Sequence, residues 1–204
     1  MRSARIAVVT SLVSAALLFA GQAVTAVAAP ISFGAHLDNF SQPANAEAGK
    51  RCSDEIATAE SCTWVGTVAY HNGSHSRAPI TGTIGTVKLV SCIAGSFVLQ
   101  IASPGTTSHT ARVLRNGPTI NYKADPQAVC GGEDGDAYVV QSFKVTVPIT
   151  KGDYIAIYAS RVGPLYCAGG SGVDLYSPPL GSSSAFRPRQ DSASCNLMIQ
   201  LVYK

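Results

Sequence analysis

Charged side chains are scarce in this chain: Asp, Glu, Lys and Arg together make up 13% of its 204 residues. This share is about half of what soluble domains usually contain, and it excludes both a coiled coil and a highly charged disordered tail. Arg2 and Arg5 lie in a segment that we expect to be removed, which leaves 13 of the 15 basic residues against 12 acidic ones. A chain so close to neutrality offers no concentrated basic surface, so we expect no nucleic-acid partner.

The chain also lacks the short motifs of several enzyme classes. It contains no G-x-S-x-G nucleophile motif, no H-E-x-x-H zinc motif, no glycine-rich phosphate loop and no C-x-x-C pair. Glycosidases normally use two carboxylates across the scissile bond, but Glu133 is the one Glu that follows Glu60, and no pair stands out among the Asp residues. We therefore expect a non-catalytic protein, and an enzyme stays open as the alternative.

The N-terminus has the three parts of a secretory signal peptide. Two arginines in Met1–Arg5 precede the apolar run Ile6–Ala20, and Ala26-Val27-Ala28 supplies a small-residue cleavage pattern. The apolar run is shorter than the roughly 20 residues that cross a bilayer, which argues against a transmembrane anchor. We therefore predict a signal peptide over residues 1–28 and a single mature domain over residues 29–204. The protein is expected to be secreted and extracellular, with no membrane anchor after cleavage.

Six cysteines lie in the predicted mature chain. Because secreted proteins pass through oxidising compartments, we expect three disulfides, for which six cysteines allow fifteen pairings. The short intervening loop favours the pair Cys52–Cys62, and the glycine-rich surroundings of Cys130 and Cys167 favour a second pair. The expected third pair is then Cys92–Cys195.

Apolar residues alternate with polar ones along several runs of the mature chain. Phe97, Leu99 and Ile101 share one face of a predicted strand, and Ile155 and Ile157 share one face of another. Such alternation, with Gly, Asn and Pro turns between the runs, is typical of half-buried strands. No window of helical period is long enough to cover a sheet, so the sheet is expected to bury its apolar face against a second sheet. The predicted fold class is an all-β, antiparallel β-sandwich with disulfides.

Two segments differ from this regular pattern. Ser41–Glu60, within an atypical N-terminal stretch over residues 29–61, is polar and Ala-rich, and we predict an extended arm or a short helix there. The last apolar run, Asn196–Tyr203, would be an exposed edge unless it pairs inside a sheet. We therefore expect it to pair with an early strand, as in jelly-roll or Greek-key topologies.

Two further segments resemble a known group of domains. Phe143–Tyr158 reads FKVTVPITKGDYIAIY, in which a strand ends at an aliphatic-Pro step, turns through Lys-Gly-Asp and returns as an alternating strand. This segment resembles a hairpin of secreted bacterial jelly-roll β-sandwich accessory domains, and Ala78–Ile84 resembles their opening strand. The resemblance implies a β-sandwich. Such domains often bind sugars, polymers or cell surfaces, but a shared fold alone does not carry that function to this chain.

The tyrosines form a candidate ligand-binding strip. Tyr154 and Tyr158 lie opposite the isoleucines of their strand, and Tyr138 is expected close to them across the hairpin. If the isoleucine face is the core, these rings point outward, and aromatic faces with a few polar groups suit sugars. The alternative is ordinary packing of tyrosine in strands. Trp64 is expected in the core, and the lack of a second Trp argues against a dedicated polysaccharide-binding module.

An acidic, glycine-rich loop is a candidate calcium site. Glu133, Asp134 and Asp136 lie within four positions, and Asp125 is near enough in sequence to join them. Calcium favours several oxygen ligands in adaptable geometry, although the spacing differs from that of an EF-hand. The alternative is a solvated acidic loop with no metal.

Two other polar groups are interpreted as exposed loops. His71 and His75 are four residues apart but flank an Asn-Gly turn, so the geometry that would pair them on a helix does not apply. Arg187-Pro188-Arg189, near Asp191, is a small basic group that we interpret as part of a solvated loop.

These observations favour a secreted, non-catalytic binding protein whose partner is an extracellular glycan or a protein surface. The pattern behind this expectation is a rigid scaffold with long Gly/Ser/Pro loops and no assembled catalytic set. One alternative is a small extracellular hydrolase, which predicts a pocket where at least two of His71, His75, His109, Asp125 and Asp136 converge. Another alternative is a secreted effector, toxin or inhibitor whose target no residue reveals.

Overall fold

A computed structural model of the chain describes residues 30–37, 50–68, 75–125, 139–160, 162–167, 172–182 and 185–204. Their one helical turn, α1, spans Cys52–Glu55. The strands are β1 (Ser32–Gly34), β2 (Lys50–Arg51), β3 (Cys62–Gly66), β4 (Gly82–Leu89), β5 (Gly95–Pro104), β6 (Thr110–Tyr122), β7 (Gln141–Ile149), β8 (Tyr154–Ala159), β9 (Val162–Gly163), β10 (Leu165–Tyr166), β11 (Val173–Tyr176), β12 (Arg187–Pro188), β13 (Asp191–Ala193), β14 (Asn196–Leu197) and β15 (Ile199–Tyr203). The predicted all-β class is confirmed, and the described part of the chain holds no helix long and apolar enough to cross a membrane.

The strands pair into two main antiparallel sheets. The larger sheet has the order β12-β6-β5-β8-β3-β11-β13, and the smaller sheet has the order β1-β15-β4-β7. Two short pairs, β2-β9 and β10-β14, complete the described strands. The two main sheets are arranged as a sandwich, which confirms the predicted fold class.

Side chains from the facing surfaces of the two sheets form the main core. In the larger sheet this core contains the alternating residues Phe97, Leu99 and Ile101 of β5, together with the fully buried Trp64 of β3. The smaller sheet contributes apolar residues of β4, β7 and β15, namely Ile84, Val87, Leu89, Val145, Val147, Ile149, Ile199 and Leu201. Each large apolar side chain buried in this way contributes about 1.5–3 kcal/mol to folding.

The last strand, β15, lies inside the smaller sheet. It pairs with β1 on one side and β4 on the other, so that Leu201 lies opposite both Phe33 and Val87. Gly34, at the end of β1, comes so close to β15 that a Cβ there would collide with the carbonyl oxygen of Ile199. The predicted pairing of the last apolar run with an early strand is therefore confirmed.

The segment before β3 contains α1 and a disulfide. Cys52–Cys62, as predicted, joins the first residue of α1 to the first residue of β3, with Cα atoms 5.7 Å apart. Asp54 Oδ2 accepts a hydrogen bond of 2.7 Å from the Arg51 N–H at the start of the helical turn. Disulfides of this kind indicate formation in an oxidising compartment.

The second disulfide of the described residues joins Cys167 to Cys195, with Cα atoms 4.0 Å apart. The predicted pairs Cys130–Cys167 and Cys92–Cys195 are therefore wrong. The reason is strand register: Cys167 directly follows β10, Cys195 directly precedes β14, and the antiparallel pairing of β10 with β14 places the two residues opposite each other. Cys92 is also disulfide-bonded.

A second, smaller apolar cluster covers part of the outer face of the larger sheet. Its residues alternate with those of the main core and are Val65, Ala102, Ala111, Val113, Ala156, Tyr176 and Leu180. The segment after β11 folds over this face, because the Leu180 N–H donates to Thr63 Oγ1 at 3.0 Å and Gln100 Nε2 donates to the Leu180 carbonyl at 3.4 Å. Leu180 covers this part of the outer face. Where the sheet ends, beside the β5–β6 turn, a depression remains open.

Candidate functional site

A concave, polar cavity lies at the end of the larger sheet beside the β5–β6 turn. Its volume of about 330 Å³ is enough to hold a small ligand group. Hydroxyl, aromatic and charged side chains line it, together with the backbone of the turn. We call this site the turn cavity and define it by Val65, Thr67, Arg77, Pro104, Gly105, Thr106, Thr107, Ser108, His109, Thr110, Ala111, Tyr154, Asp174 and Tyr176.

Asp174, in the lining of the turn cavity, belongs to an ion pair. Asp174 of β11 has 5% of its side chain exposed, and its Oδ1 accepts a hydrogen bond of 2.8 Å from Arg189 Nη1. His109 Nδ1, from the β5–β6 turn, lies 3.2 Å from the other carboxylate oxygen, Oδ2. A buried carboxylate without a partner would carry a large desolvation cost, so the pairing with Arg189 holds Asp174 in place.

His109 Nδ1 has two polar neighbours. Arg189 Nη1 lies 2.9 Å from it, and a guanidinium can only donate hydrogen bonds. The Asp174 carboxylate oxygen at 3.2 Å can only accept them. Nδ1 therefore accepts from Arg189 in one tautomer and donates to Asp174 in the other, and both contacts hold the imidazole ring against the ion pair.

The backbone at His109 is strained. Its φ of +58° lies in the left-handed region, which residues other than glycine rarely adopt. Two hydrogen bonds to its carbonyl oxygen hold this conformation, one from the Tyr176 hydroxyl at 3.2 Å and one from the Arg189 N–H at 3.0 Å. Backbone strain of this kind is concentrated at functional sites, and here it positions the imidazole against Arg189.

Tyr176 is a permanent donor to that carbonyl. The residue is 1% exposed, and burial, together with the nearby negative charge of Asp174, raises the pKa of its hydroxyl above the usual value of 10.0. The hydroxyl therefore stays protonated at neutral and moderately alkaline pH and continues to support the strained turn.

Arg77 and Tyr154 form another part of the cavity wall. Arg77 Cζ lies 4.7 Å from the centre of the Tyr154 ring, and Arg77 Nη2 donates to the Tyr154 hydroxyl at 2.6 Å. The backbones of the two residues also pair in an isolated antiparallel bridge. Because a cation is attracted to an aromatic face, the side chain of Arg77 is held in one orientation although the residue is exposed.

The predicted tyrosine strip does not form one continuous surface. Tyr154 and Tyr158 both face away from the main core, but both are half-buried. Ala156 lies between them on the same face and is covered within the cluster that contains Leu180. Tyr154 lines the turn cavity and Tyr158 does not, while the third predicted residue, Tyr138, lies outside the described residues.

Three of the four predicted calcium ligands, Glu133, Asp134 and Asp136, lie outside the described residues. The fourth, Asp125, is buried, and its Oδ2 accepts a hydrogen bond from the Val139 N–H. Among the described residues, no three His, Cys, Asp or Glu side chains are grouped closely enough to hold a metal ion. Calcium binding stays a prediction, which calorimetric titration of the folded protein with calcium tests.

The described members of the predicted hydrolase set lie apart. Asp125 lies beside the start of β5, whereas His109 lies in the turn that follows the end of β5. His75 lines a depression other than the one that His109 lines. The other two members, His71 and Asp136, lie outside the described residues. The described part of the chain therefore does not bring this set together at one pocket.

Sequence reasoning did not identify Asp174 or Arg189 as site residues. The one signal for Asp174 is a carboxylate inside the apolar run Val173–Tyr176. Arg189 belongs to the group that we interpreted as a solvated loop, and that interpretation is wrong for this residue. Its side chain is 32% exposed and pairs with Asp174 rather than with the neighbouring Asp191.

A larger cavity, of about 920 Å³, lies at the other end of the larger sheet, beside α1 and the start of β5. Its described lining contains no aromatic side chain, and its two charged residues, Arg51 and Glu60, are exposed. Binding sites are distinguished by convergent, fixed polar groups rather than by size alone. The turn cavity is therefore the stronger candidate.

Comparison with known proteins adds no constraint on this site. No family model matches the chain, and neither a curated protein nor a solved structure matches it. Because a fold alone does not identify a function, the geometry of the turn cavity is the feature of this chain that indicates one.

Proposed function

We infer that this protein is a secreted, non-catalytic glycan-binding protein and that the turn cavity is its binding site. The observation that carries the inference is the fixed arrangement of donors and acceptors around the buried carboxylate of Asp174, with Arg189 at 2.8 Å and His109 at 3.2 Å. Sugar hydroxyls both donate and accept hydrogen bonds. The Asp174 carboxylate, the His109 imidazole and the Arg77 guanidinium all line the turn cavity, and together they match neighbouring hydroxyls of one sugar ring.

The rigidity of these groups supports a binding role. Asp174 and Arg189 are held by each other, His109 is held by two hydrogen bonds to its carbonyl, and Arg77 is held against Tyr154. Side chains that are already ordered lose little conformational freedom when a ligand binds, which favours affinity. The site is thus organised before any ligand arrives.

The shape of the site favours a sugar over a protein partner. A cavity of about 330 Å³ encloses a small group, whereas each partner in a stable protein complex covers about 800 Å². Phe186, which is 44% exposed, lies against Gly105 at the edge of the turn cavity. An exposed aromatic ring next to convergent polar groups is typical of sites for small polar ligands with an apolar face.

The contacts of the turn cavity support binding without catalysis. Within the described residues, no hydroxyl or thiol donates a hydrogen bond to His109, so no nucleophile is paired with it. Asp174 is already paired with Arg189. An activated nucleophile needs a base within hydrogen-bonding reach, and the alternative hydrolase function therefore receives less support than binding.

A binding screen against immobilised glycans tests the proposal, using protein purified from culture medium. We expect at least one glycan to bind, and we expect Asp174→Asn to weaken that binding about tenfold, the value of one hydrogen bond to a charged group. Thr58→Ala, in the larger cavity, is the matched control and is expected to bind like the wild type. Circular dichroism confirms that each variant is folded. No glycan binding at all, or equal binding by Asp174→Asn, contradicts the proposal.

Secretion is part of the same proposal. Its support is the N-terminal pattern of residues 1–28 together with the disulfides Cys52–Cys62 and Cys167–Cys195, which form in oxidising compartments. N-terminal sequencing of the protein from culture medium is expected to find a chain that begins after Ala28. A full-length chain retained in the cytosol would contradict this part of the proposal.

A further inference from the structure

We propose that the glycan bound in the turn cavity is anionic and that its charged groups extend over Arg77 into a second depression. We call this depression the basic cleft; it has a volume of about 510 Å³ and is lined by residues 75–79, Lys151 and Gly152. The proposal rests on the proposed function, because it uses the same turn cavity. It adds the chemical class of the ligand, a saccharide that carries carboxylate or sulfate groups.

Arg77 connects the two depressions, since it lines both of them. The segment that carries it is fixed to the β7–β8 turn by two backbone hydrogen bonds, from the Ala78 N–H to the Asp153 carbonyl at 2.8 Å and from the Gly152 N–H to the Ala78 carbonyl at 2.9 Å. These bonds keep Arg77 next to Lys151. A chain of sugar units that leaves the turn cavity over Arg77 therefore enters the basic cleft.

The accessible charge of the basic cleft is of one sign. His75, Arg77 and Lys151 supply basic side chains, and no carboxylate is among the described residues that line it. The nearby Asp153 is 6% exposed and turns inward, where its Oδ2 accepts a hydrogen bond of 2.9 Å from the Thr150 N–H. A neutral sugar chain would leave these basic groups unused, whereas an anionic one would pair with them.

The turn cavity adds no accessible negative charge to oppose an anion. Asp174 is the one carboxylate among its described lining residues, and its charge is balanced by Arg189 at 2.8 Å. Exposed charges attract across about 8 Å at physiological salt. The field that a ligand meets at Arg77 is therefore positive on the side of the basic cleft and balanced on the side of the turn cavity.

The side chains of the cleft have the geometry that anionic groups need. Arg77 uses Nη2 for the Tyr154 hydroxyl, and its remaining donors form part of a planar fork that matches a carboxylate or a sulfate. Lys151 adds a point charge on a turn whose backbone is fixed, because the Lys151 N–H donates to Thr81 Oγ1 at 3.0 Å. One anionic group at Arg77 and one at Lys151 would satisfy both cations.

Calorimetric titration with three oligosaccharides of one backbone tests the proposal: a uronic-acid form, its neutral methyl ester and a sulfated form. We expect the wild type to bind a charged form more tightly than the methyl ester, with an affinity that falls as salt is added. Lys151→Gln is expected to weaken binding of the charged form about three- to fivefold, the size of one exposed charge pair, and to leave the ester unchanged. Lys123→Gln, an exposed lysine after the far end of β6, is the matched control.

The outcomes separate this inference from the proposed function. A preference for the uronic-acid form or for the sulfated form supports the inference and identifies the anionic group. Equal binding of charged and neutral forms, or no effect of Lys151→Gln, overturns the inference while the glycan-binding function stands. Absence of binding by every glycan in the wider screen contradicts the proposed function itself, and with it the inference.

Discussion

Removal of the Cys167–Cys195 disulfide gives the sharpest test of how this sandwich is stabilised. The perturbation is the double variant Cys167→Ala, Cys195→Ala, and its comparison is Cys52→Ala, Cys62→Ala. A disulfide restricts the unfolded chain, and the restriction grows with the length of the loop that it closes. The two disulfides differ in this respect, with sequence separations of 28 and 10 residues.

The expected magnitudes follow from these loop lengths. The chain-entropy relation gives about 3.6 kcal/mol for the Cys167–Cys195 loop and about 2.7 kcal/mol for the Cys52–Cys62 loop at room temperature. Neither loop encloses another cysteine, so removing one of these two disulfides does not change the length of the loop that the other closes. Cys52, Cys62 and Cys195 are nearly inaccessible and Cys167 is half-buried, so three of the four substitutions lose similar packing and the comparison reports chiefly the difference in loop length.

Equilibrium unfolding in urea, followed by tryptophan fluorescence, measures both effects. The chain has one Trp, and Trp64 is fully buried in the main core, so its emission reports loss of the sandwich. We expect the Cys167, Cys195 variant to lose about 0.9 kcal/mol more than the Cys52, Cys62 variant. An equal loss, or the reverse order, would refute the reasoning from loop length.

Three other predictions concern single side chains. Burial raises the pKa of Asp153, although the hydrogen bond from the Thr150 N–H opposes the shift. A raised carboxyl pKa stabilises the fold at low pH, and this stabilisation is lost as the pH rises above about 4. The urea midpoint of the wild type should therefore fall with rising pH relative to that of Asp153→Asn. Leu180→Ala should cost about 2–4 kcal/mol of unfolding free energy and the volume-conserving Leu180→Met less than about 1.5, as denaturant titration would show; equal costs would contradict the role of Leu180 in closing the outer face. The pKa of the Tyr176 hydroxyl is also raised, so the free energy of unfolding should fall as the pH exceeds about 10. Tyr176→Phe has no hydroxyl to ionise, so its alkaline unfolding should occur at higher pH. An unchanged midpoint would contradict this.

The core of the sandwich is predictable from sequence because its signal is local. Alternation in β5 separates Phe97, Leu99 and Ile101 from their neighbours, and these three residues lie in the main core, whereas Ala102 is buried in the second cluster on the outer face. A period of two places every second side chain on one face, so a few consecutive residues carry the information. The position of β15 is predictable for a related reason, since an apolar strand with a free edge is unfavourable in water.

The cysteine pairing and the turn cavity depend instead on register between distant strands. Cys167 lies opposite Cys195 because β10 pairs with β14, and no local pattern specifies that pairing. Arg189 lies near Asp191 in sequence but reaches Asp174 across the sheet. Local charge patterns describe neighbours along the chain, so they predict an exposed loop at Arg189 and cannot indicate the buried carboxylate that it binds.

The turn cavity draws its walls from five separated stretches of chain, at residues 65–67, 77, 104–111, 154 and 174–176. A ligand bound there contacts these stretches only in the folded protein, because the unfolded chain has no such site. Occupancy then adds about 2.7 kcal/mol to the folded state at a hundredfold excess over Kd. The melting temperature therefore detects a bound molecule even when its chemical identity is unknown, so crude fractions of extracellular polymer can be ranked by how far each one raises it.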